Sequence, residues 1–287
     1  MNINGKTKLL GIIGNPIGHS FSPQIHNSAL SHLALDYVYL PFPVAPAKLS
    51  EAVLGFEAIS LVGFSVTIPH KQAIIPFLKE ISPLAQVAGA VNTVCWKDTG
   101  WYGTNTDIAG FLSPLLSLER NWQEIVPVIL GCGGAARAVV VAAQELGCPS
   151  VHVVSRNQDK LKDFQASWRS SMLQIEIQIH SWESIKDLIS QTALLINTTP
   201  IGMYPVVDIS PVEQSFWENI KPDLIVYDLI YRPSPTLFLQ EAAGQGAFII
   251  TGTEMLINQA AEAFKIWTGQ TAPIDVMNQE LYHQLCF

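Results

Sequence analysis

Apolar runs of strand length alternate along the whole chain with stretches whose apolar positions recur every three or four residues. Residues 8–14 and 37–42 read as strands on either side of a helix over residues 24–33. A mixed helical stretch then leads to another apolar strand over residues 60–68. Parallel neighbours need a crossover, usually helical, so this alternation predicts an α/β fold with a largely parallel sheet. Between Asn92 and Gly103 the pattern changes to two short strands around Lys97-Asp98-Thr99-Gly100, which predicts a hairpin at the edge of that sheet. A helix over residues 108–118, with Thr106 or Asp107 as N-cap, leads into a second series of β-α units and marks a hinge between domains.

The second series opens with a strand at 125–130, a glycine turn, and a helix at 135–146 that Gly147 and Pro149 stop. A strand over 150–154 completes a βαβ unit. Further strands are expected at 175–179, 194–198, 224–229 and 247–250, and closing helices at 254–267 and 276–285. The turn, Gly131-Cys132-Gly133-Gly134-Ala135-Ala136-Arg137, fits G-x-G-x-x-A directly after a strand and at the opening of a helix, the context of a dinucleotide fingerprint. Gly131 permits the tight turn, Gly133 lets the backbone approach a pyrophosphate, and Ala136 permits close helix–sheet packing. A site selective for NAD carries a carboxylate at the end of the following strand; here Ser155-Arg156-Asn157 stands there, with Lys160 one turn beyond. Arg156 can stack on adenine and pair with a 2′-phosphate, which favours NADP over NAD.

Composition narrows the partners. The 287 residues are 48% hydrophobic and 14% charged, with a net charge of −8, and no basic run is long enough to track a phosphate backbone. Nucleic acid and anionic membranes are excluded as expected partners, and no apolar stretch reaches the length of a membrane span. Cys95, Cys132, Cys148 and Cys286 are widely spaced, so neither a disulfide framework nor a zinc site is expected, and a cytoplasmic location fits. His19, His26 and His70 have no carboxylate at metal-ligand spacing and read as structural or exposed.

Candidate chemistry gathers near strand ends in the first half. Gly18-His19-Ser20-Phe21-Ser22-Pro23 follows the first strand, with Ser22 expected at an N-cap and Pro23 at the first helical position. Ser20 has no capping duty, and two hydroxyls beside a helix start suit a carboxylate in an otherwise acidic protein. Thr67, Lys71, Asn92 and Asp107 fall where open α/β sheets hold ligands. Lys71 sits in the first turn of a helix opened by Pro69, where the dipole disfavours a cation, so another group is expected to hold it there.

Taken together, the chain resembles the shikimate dehydrogenases over essentially its full length. The motifs are Gly18 to Pro23, Val66-Thr67-Ile68-Pro69-His70-Lys71, Gly89-Ala90-Val91-Asn92-Thr93, Gly103 to Asp107 with Gly110, Gly131 to Arg137, Asn197 to Met203, Asp228 to Pro233, and Met255-Leu256 with Gln259. The resemblance implies an N-terminal α/β substrate domain, residues 1–106 and 252–287 with C-terminal helices returning to it, and an NADP-binding Rossmann domain, residues 107–251. It implies reversible reduction of 3-dehydroshikimate to shikimate, in the pathway to chorismate and the aromatic amino acids. Lys71 and Asp107 would be the catalytic pair. Ser20 and Ser22 would bind the carboxylate, Thr67, Asn92 and Gln259 the ring oxygens, and Tyr231 would help close the substrate site. Cofactor contacts would come from Gly131, Gly133, Gly134, Ala135, Ala136, Ser155, Arg156, Lys160, Asn197, Thr198, Thr199, Met203, Leu229, Gly252 and Met255, with no metal. A monomer or homodimer is expected. Ser65, Thr251 and Glu254 depart from residues frequent in the family, Asn, Asp and Gly. Two other readings compete: a quinate/shikimate dehydrogenase using NAD, against which Ser22 and Arg156 argue, and a catalytically silent NADP-binding sensor, which would need neither Lys71 nor Asp107.

Overall fold

The computed structural model describes residues 3–169 and 172–286, and the chain forms two compact units. The first runs up to Gly110 and takes up the chain again from Ile257; the second spans Phe111–Leu256.

In the first unit β1 (Lys8–Gly14), α1 (Ser22–His32), β2 (Tyr37–Pro43), α2 (Leu49–Ala58) and β3 (Gly63–Val66) form two successive crossovers. A short α3 (His70–Ala73), β4 (Glu80–Ile81), α4 (Pro83–Ala88), β5 (Thr93–Lys97) and β6 (Gly100–Thr104) follow. The sheet order is β2-β1-β3-β5-β6-β4, with β1 parallel to β2 and β3, and β5 antiparallel to both β3 and β6. The hairpin is therefore internal rather than an edge, because β4 pairs with β6 beyond it. The strand expected over 60–68 is confined to four residues: Ser60 takes a positive φ of 56° in the turn that ends α2. Phe64, Val66, Val91, Val94 and Trp101 centre this core.

α5 (Thr106–Leu116) carries the chain into the second unit. There follow β7 (Val128–Leu130), α6 (Gly134–Glu145), β8 (Ser150–Ser155), α7 (Gln158–Ala166), β9 (Glu176–Ser181), α8 (Ile185–Gln191), β10 (Leu194–Asn197), β11 (Ile225–Asp228), α9 (Leu237–Gly244) and β12 (Phe248–Ile250). Every pairing in this sheet is parallel, in the order β12-β11-β10-β7-β8-β9, and the order reverses between β7 and β10 as in doubly wound nucleotide-binding folds. The central strands β7, β10 and β11 are buried throughout, which is why they read as unbroken apolar runs, whereas β9 at the edge alternates and is only partly buried; Leu130, Val154, Leu195, Val226 and Phe238 are buried in the core. α10 (Gly252–Thr268) crosses back, and α11 (Ile274–Leu285) completes the first unit.

Within the first unit, Trp267 of α10 donates its indole N–H to Val94 O at 2.9 Å. Gly63 makes that contact possible, since a Cβ there would lie 2.4 Å from the indole. No helix among the described residues is long and apolar enough to cross a membrane.

Two helix starts differ from expectation. Phe21, not Ser22, occupies the N-cap of α1, and no side chain caps it; Ser22 is already helical and buried. At α5 the capping contact comes from Asn105, whose Oδ1 accepts from the Asp107 N–H at 3.1 Å, so Thr106 and Asp107 are freed from that duty.

Candidate active site

Strand polarity gathers the first unit's polar residues at one end of its sheet. β1 and β3 run parallel in the register Ile13 to Val66, so the chain leaves both at the same end, and Asn15 N–H donates to Ile68 O at 3.0 Å. β5 runs the other way and begins there: Ser65 faces Thr93, and Val66 N–H donates to Asn92 O. β6 returns and ends there, with Thr104 opposite Thr93, delivering Asn105, Thr106 and Asp107.

Lys71 and Asp107 meet at this end, with Nζ 2.6 Å from Oδ2. Their side chains retain 19% and 11% of their accessibility, so the pair is shielded but reachable. This carboxylate holds the cation in place; α3 is only four residues long, so Lys71 lies in its last turn as much as in its first and the expected opposition of a helix dipole does not arise. The other oxygen, Oδ1, accepts from Asn92 Nδ2 at 2.8 Å. Asn92 is itself fixed, its Oδ1 accepting from the Thr106 N–H at 2.7 Å and the Thr93 hydroxyl at 3.0 Å. Its Nδ2 also lies 3.0 Å from Thr106 Oγ1 and, at a long 3.5 Å, from Gln259 Oε1. Thr106 and Thr93 were not singled out from sequence as site residues; the only signal was their adjacency to Asp107 and Asn92.

Ser20 and Ser22 lie where the chain enters α1, with the Ser22 N–H donating to Ser20 Oγ at 3.2 Å. Thr67 is half-buried and packs against the exit of β1: a Cβ at Gly14 would sit 2.6 Å from its methyl. Ser65 is explained by its neighbour, since the buried Tyr39 hydroxyl donates to its Oγ at 2.8 Å. Among the histidines, His70 Nε2 contacts Val44 O at 2.7 Å, His26 is buried among aromatic rings, and His19 is exposed. No group of three His, Cys, Asp or Glu able to hold a metal occurs among the described residues.

In the second unit the glycine loop lies between β7 and α6, at the switch point of the sheet. Gly131 adopts φ +104°, which L side chains avoid, and a Cβ there would lie 2.7 Å from Thr198 Oγ1. Gly133 and Gly134 face open space, no side chain caps α6, Ala135 is half-buried, and Ala136 is fully buried against the sheet. Exposed amides at the start of a three-turn helix, with no Cβ to fend off a ligand, fit a pyrophosphate. Thr198 closes the neighbouring edge, its hydroxyl donating to Leu130 O at 2.7 Å. Asn197 Oδ1 accepts from the Thr199 hydroxyl at 2.7 Å, while its Nδ2 donates to Asp228 Oδ1 at 3.0 Å. Asp228 is wholly buried and also accepts from the Thr236 hydroxyl and the Ile230 N–H. Desolvation pushes its pKa up to about 6, and those hydrogen bonds pull the other way.

After β8, Arg156 and Lys160 are exposed, and Asn157 caps α7 through the Lys160 N–H. No carboxylate stands at the end of the strand, in Ser155-Arg156-Asn157, which suits a 2′-phosphate rather than a free 2′-hydroxyl. Met203 is 46% exposed in the turn after β10, and Met255 is buried. Tyr231 is partly buried, and desolvation raises its pKa. Leu229 and Gly252 pack backbone to side, since a Cβ at Gly252 would lie 2.5 Å from Leu229 O. Thr251 and Thr253 share a 2.6 Å hydroxyl contact. Glu254 lies in the first turn of α10, where the dipole favours it, although desolvation raises its pKa.

Against this geometry the comparisons with known proteins are specific. Residues 12–94 match the shikimate dehydrogenase substrate binding domain, and residues 252–282 the shikimate 5′-dehydrogenase C-terminal domain. A curated relative from Microcystis aeruginosa, named shikimate dehydrogenase (NADP(+)), is 56% identical over 282 residues, covering 98% of this chain and 99% of its own. The chain belongs to the shikimate dehydrogenase family. Among solved members, a shikimate dehydrogenase in complex with NADP+ superposes with a TM-score of 0.88 at 38% identity, covering 99% of this chain and 98% of that one. The Listeria monocytogenes shikimate 5-dehydrogenase, in complex with shikimate and NAD, gives a TM-score of 0.88 at 33% identity over 98% of each chain. Solved family members are thus found with either dinucleotide.

Proposed function

We propose that this chain is an NADP-dependent shikimate dehydrogenase that interconverts 3-dehydroshikimate and shikimate on the route to chorismate and the aromatic amino acids. The observation that carries the chemistry is the shielded 2.6 Å contact between Lys71 Nζ and Asp107 Oδ2. Bound NADPH supplies the hydride for the ring carbonyl carbon. As the new C–H bond forms and the carbonyl π bond breaks, negative charge develops on oxygen, and Lys71 donates the proton that neutralises it. Asp107 orients the ammonium before transfer, and Asn92 fixes Asp107 through Oδ1. In the oxidation direction the neutral amine of Lys71 accepts the proton.

Ser20 and Ser22 are assigned to the substrate carboxylate, Thr67, Asn92 and Gln259 to the ring oxygens, and Tyr231 to the substrate. For Asn92 the contact to exchange is the 3.5 Å one to Gln259, the longest its amide makes. On the cofactor side, Gly131, Gly133, Gly134, Ala135 and Ala136 are assigned to the pyrophosphate, and Ser155, Arg156 and Lys160 to the 2′-phosphoryl ribose. Asn197, Thr198, Thr199, Met203, Leu229, Gly252 and Met255 are assigned to the nicotinamide half.

Absorbance at the NADPH band, with shikimate or quinate each offered NADP or NAD, tests the assignment. Shikimate with NADP is expected to be preferred by a wide margin. Comparable turnover of quinate with NAD would overturn the substrate and cofactor choice, and no turnover of any pair would favour a silent sensor.

A further inference from the structure

Ser155 and Ser181, the last residues of β8 and β9, are direct partners in the parallel register. The next residue on each strand, Arg156 and Trp182, therefore stands side by side with the other at the carboxyl end of the sheet, the end that holds ligands in open α/β folds. The Arg156 guanidinium lies over the Trp182 ring, 5.5 Å from its centroid. Trp182 is only partly exposed and packs against the core cluster that includes Val154, Ile185 and Leu195, so the indole is anchored. The backbone beneath Arg156 is tied down as well: Asn157 N–H donates to Ser155 Oγ at 3.3 Å, and Lys160 N–H to Asn157 Oδ1 at 2.9 Å. Among the described residues no carboxylate forms an ion pair with Arg156. The nearby acidic side chain of Glu183 accepts a hydrogen bond from its own turn at Ser181.

We propose that Trp182 is the specificity-positioning residue for NADP: its ring is the platform that holds the Arg156 guanidinium in place to receive the cofactor's 2′-phosphate. This rests on the assignment of Arg156 to that phosphate. An exposed arginine otherwise loses rotamer freedom when it closes on a ligand, and an aromatic face that already restricts it lowers that cost while leaving the N–H edge open. A guanidinium held over the ring still has its N–H groups available, and two of them can pair with a phosphate. NAD, with a 2′-hydroxyl in that position, draws nothing from this arrangement.

The test is a double-mutant cycle with Trp182→Leu and Arg156→Ala, with Trp182→Phe as the conservative variant. KM and kcat are measured for NADP and for NAD, and adenosine 2′,5′-bisphosphate binding is titrated directly as a measure independent of turnover. Trp182→Leu is expected to raise KM for NADP and weaken the bisphosphate by about three- to fivefold, the scale of an exposed cation–π contact. The change is expected in KM for NADP rather than in kcat or in KM for NAD, to be partly restored by Phe, and to vanish when Arg156 is already Ala. Equal shifts for NADP and NAD, or an undiminished Trp182 effect in the Arg156→Ala background, would overturn the proposal in favour of a purely structural tryptophan. If Arg156→Ala itself leaves the preference for NADP intact, the underlying assignment of Arg156 fails; if it abolishes the preference while Trp182→Leu does nothing, only the platform fails.

Discussion

His26 offers a stability prediction whose magnitude follows from its surroundings. It is 1% exposed, stacked on Tyr39 with ring centroids 4.4 Å apart and flanked by Trp267 at 5.3 Å. Its Nδ1 has no hydrogen-bond partner among the described residues. Burial lowers its pKa from 6.5 to about 3, so the folded ring stays neutral where an unfolded one would be charged. Protonation therefore favours the unfolded chain: the contribution is complete above the unfolded pKa and is lost as pH falls toward the folded one. Between about pH 7 and about pH 4.5 the loss comes to roughly 2–3 kcal/mol. The perturbation is His26→Phe, which keeps the aromatic stack and removes the titration. Urea unfolding of both proteins at the two pH values, read on the transition of the first unit, gives a double difference in which the shared carboxylate titrations cancel. Any fixed cost of the larger ring cancels too. A double difference of roughly 2–3 kcal/mol is expected; parallel pH dependences would refute the reasoning.

Four further outcomes are expected. Lys71→Ala should depress kcat far more than substrate affinity in steady-state assays, because the proton is needed in the transition state; preserved kcat would reduce Lys71 to a surface residue. Asn92→Ala should lower kcat by releasing Asp107 Oδ1, with little loss in NADP affinity by direct titration. Asp228, with its folded pKa raised from 3.8 to about 6, contributes stability below the unfolded value that is lost as pH rises through the folded one; denaturant titrations should find this loss of about 3 kcal/mol missing in Asp228→Asn. Gly252→Ala should destabilise by at least about 1–3 kcal/mol in thermal or urea unfolding, since the added carbon would lie 2.5 Å from two carbonyl oxygens.

Much of the fold was legible because local patterns and global topology agree. β1 and the central strands β7, β10 and β11 read as apolar runs because they are buried along nearly all their length, and the glycine loop announced its strand–turn–helix context. The internal place of the hairpin was not legible, because β4 is only two residues long and leaves no periodic signal. The cap of α5 lies one or two residues before Thr106 or Asp107, at Asn105: Asn, Thr and Asp are all competent capping types, and which of them turns inward depends on what each side chain meets. Asn92 occupies Thr106, and Lys71 occupies Asp107, which leaves Asn105 to cap.

By itself the sequence determined which chemistry is available: a lysine and a carboxylate near strand ends, paired serines at a helix entrance, a glycine loop, and an arginine where a carboxylate would select NAD. These are properties of residue type and of spacing along one strand or turn, scales over which periodicity and backbone preference act. Only the tertiary structure decided which groups meet. Lys71 and Asp107 are 36 residues apart in sequence, and they touch because β5 enters at the end where β3 leaves and β6 returns to it. Arg156 and Trp182 become neighbours through the register of two parallel strands. Strand pairing is set by burial over the whole sheet, and no local pattern encodes it.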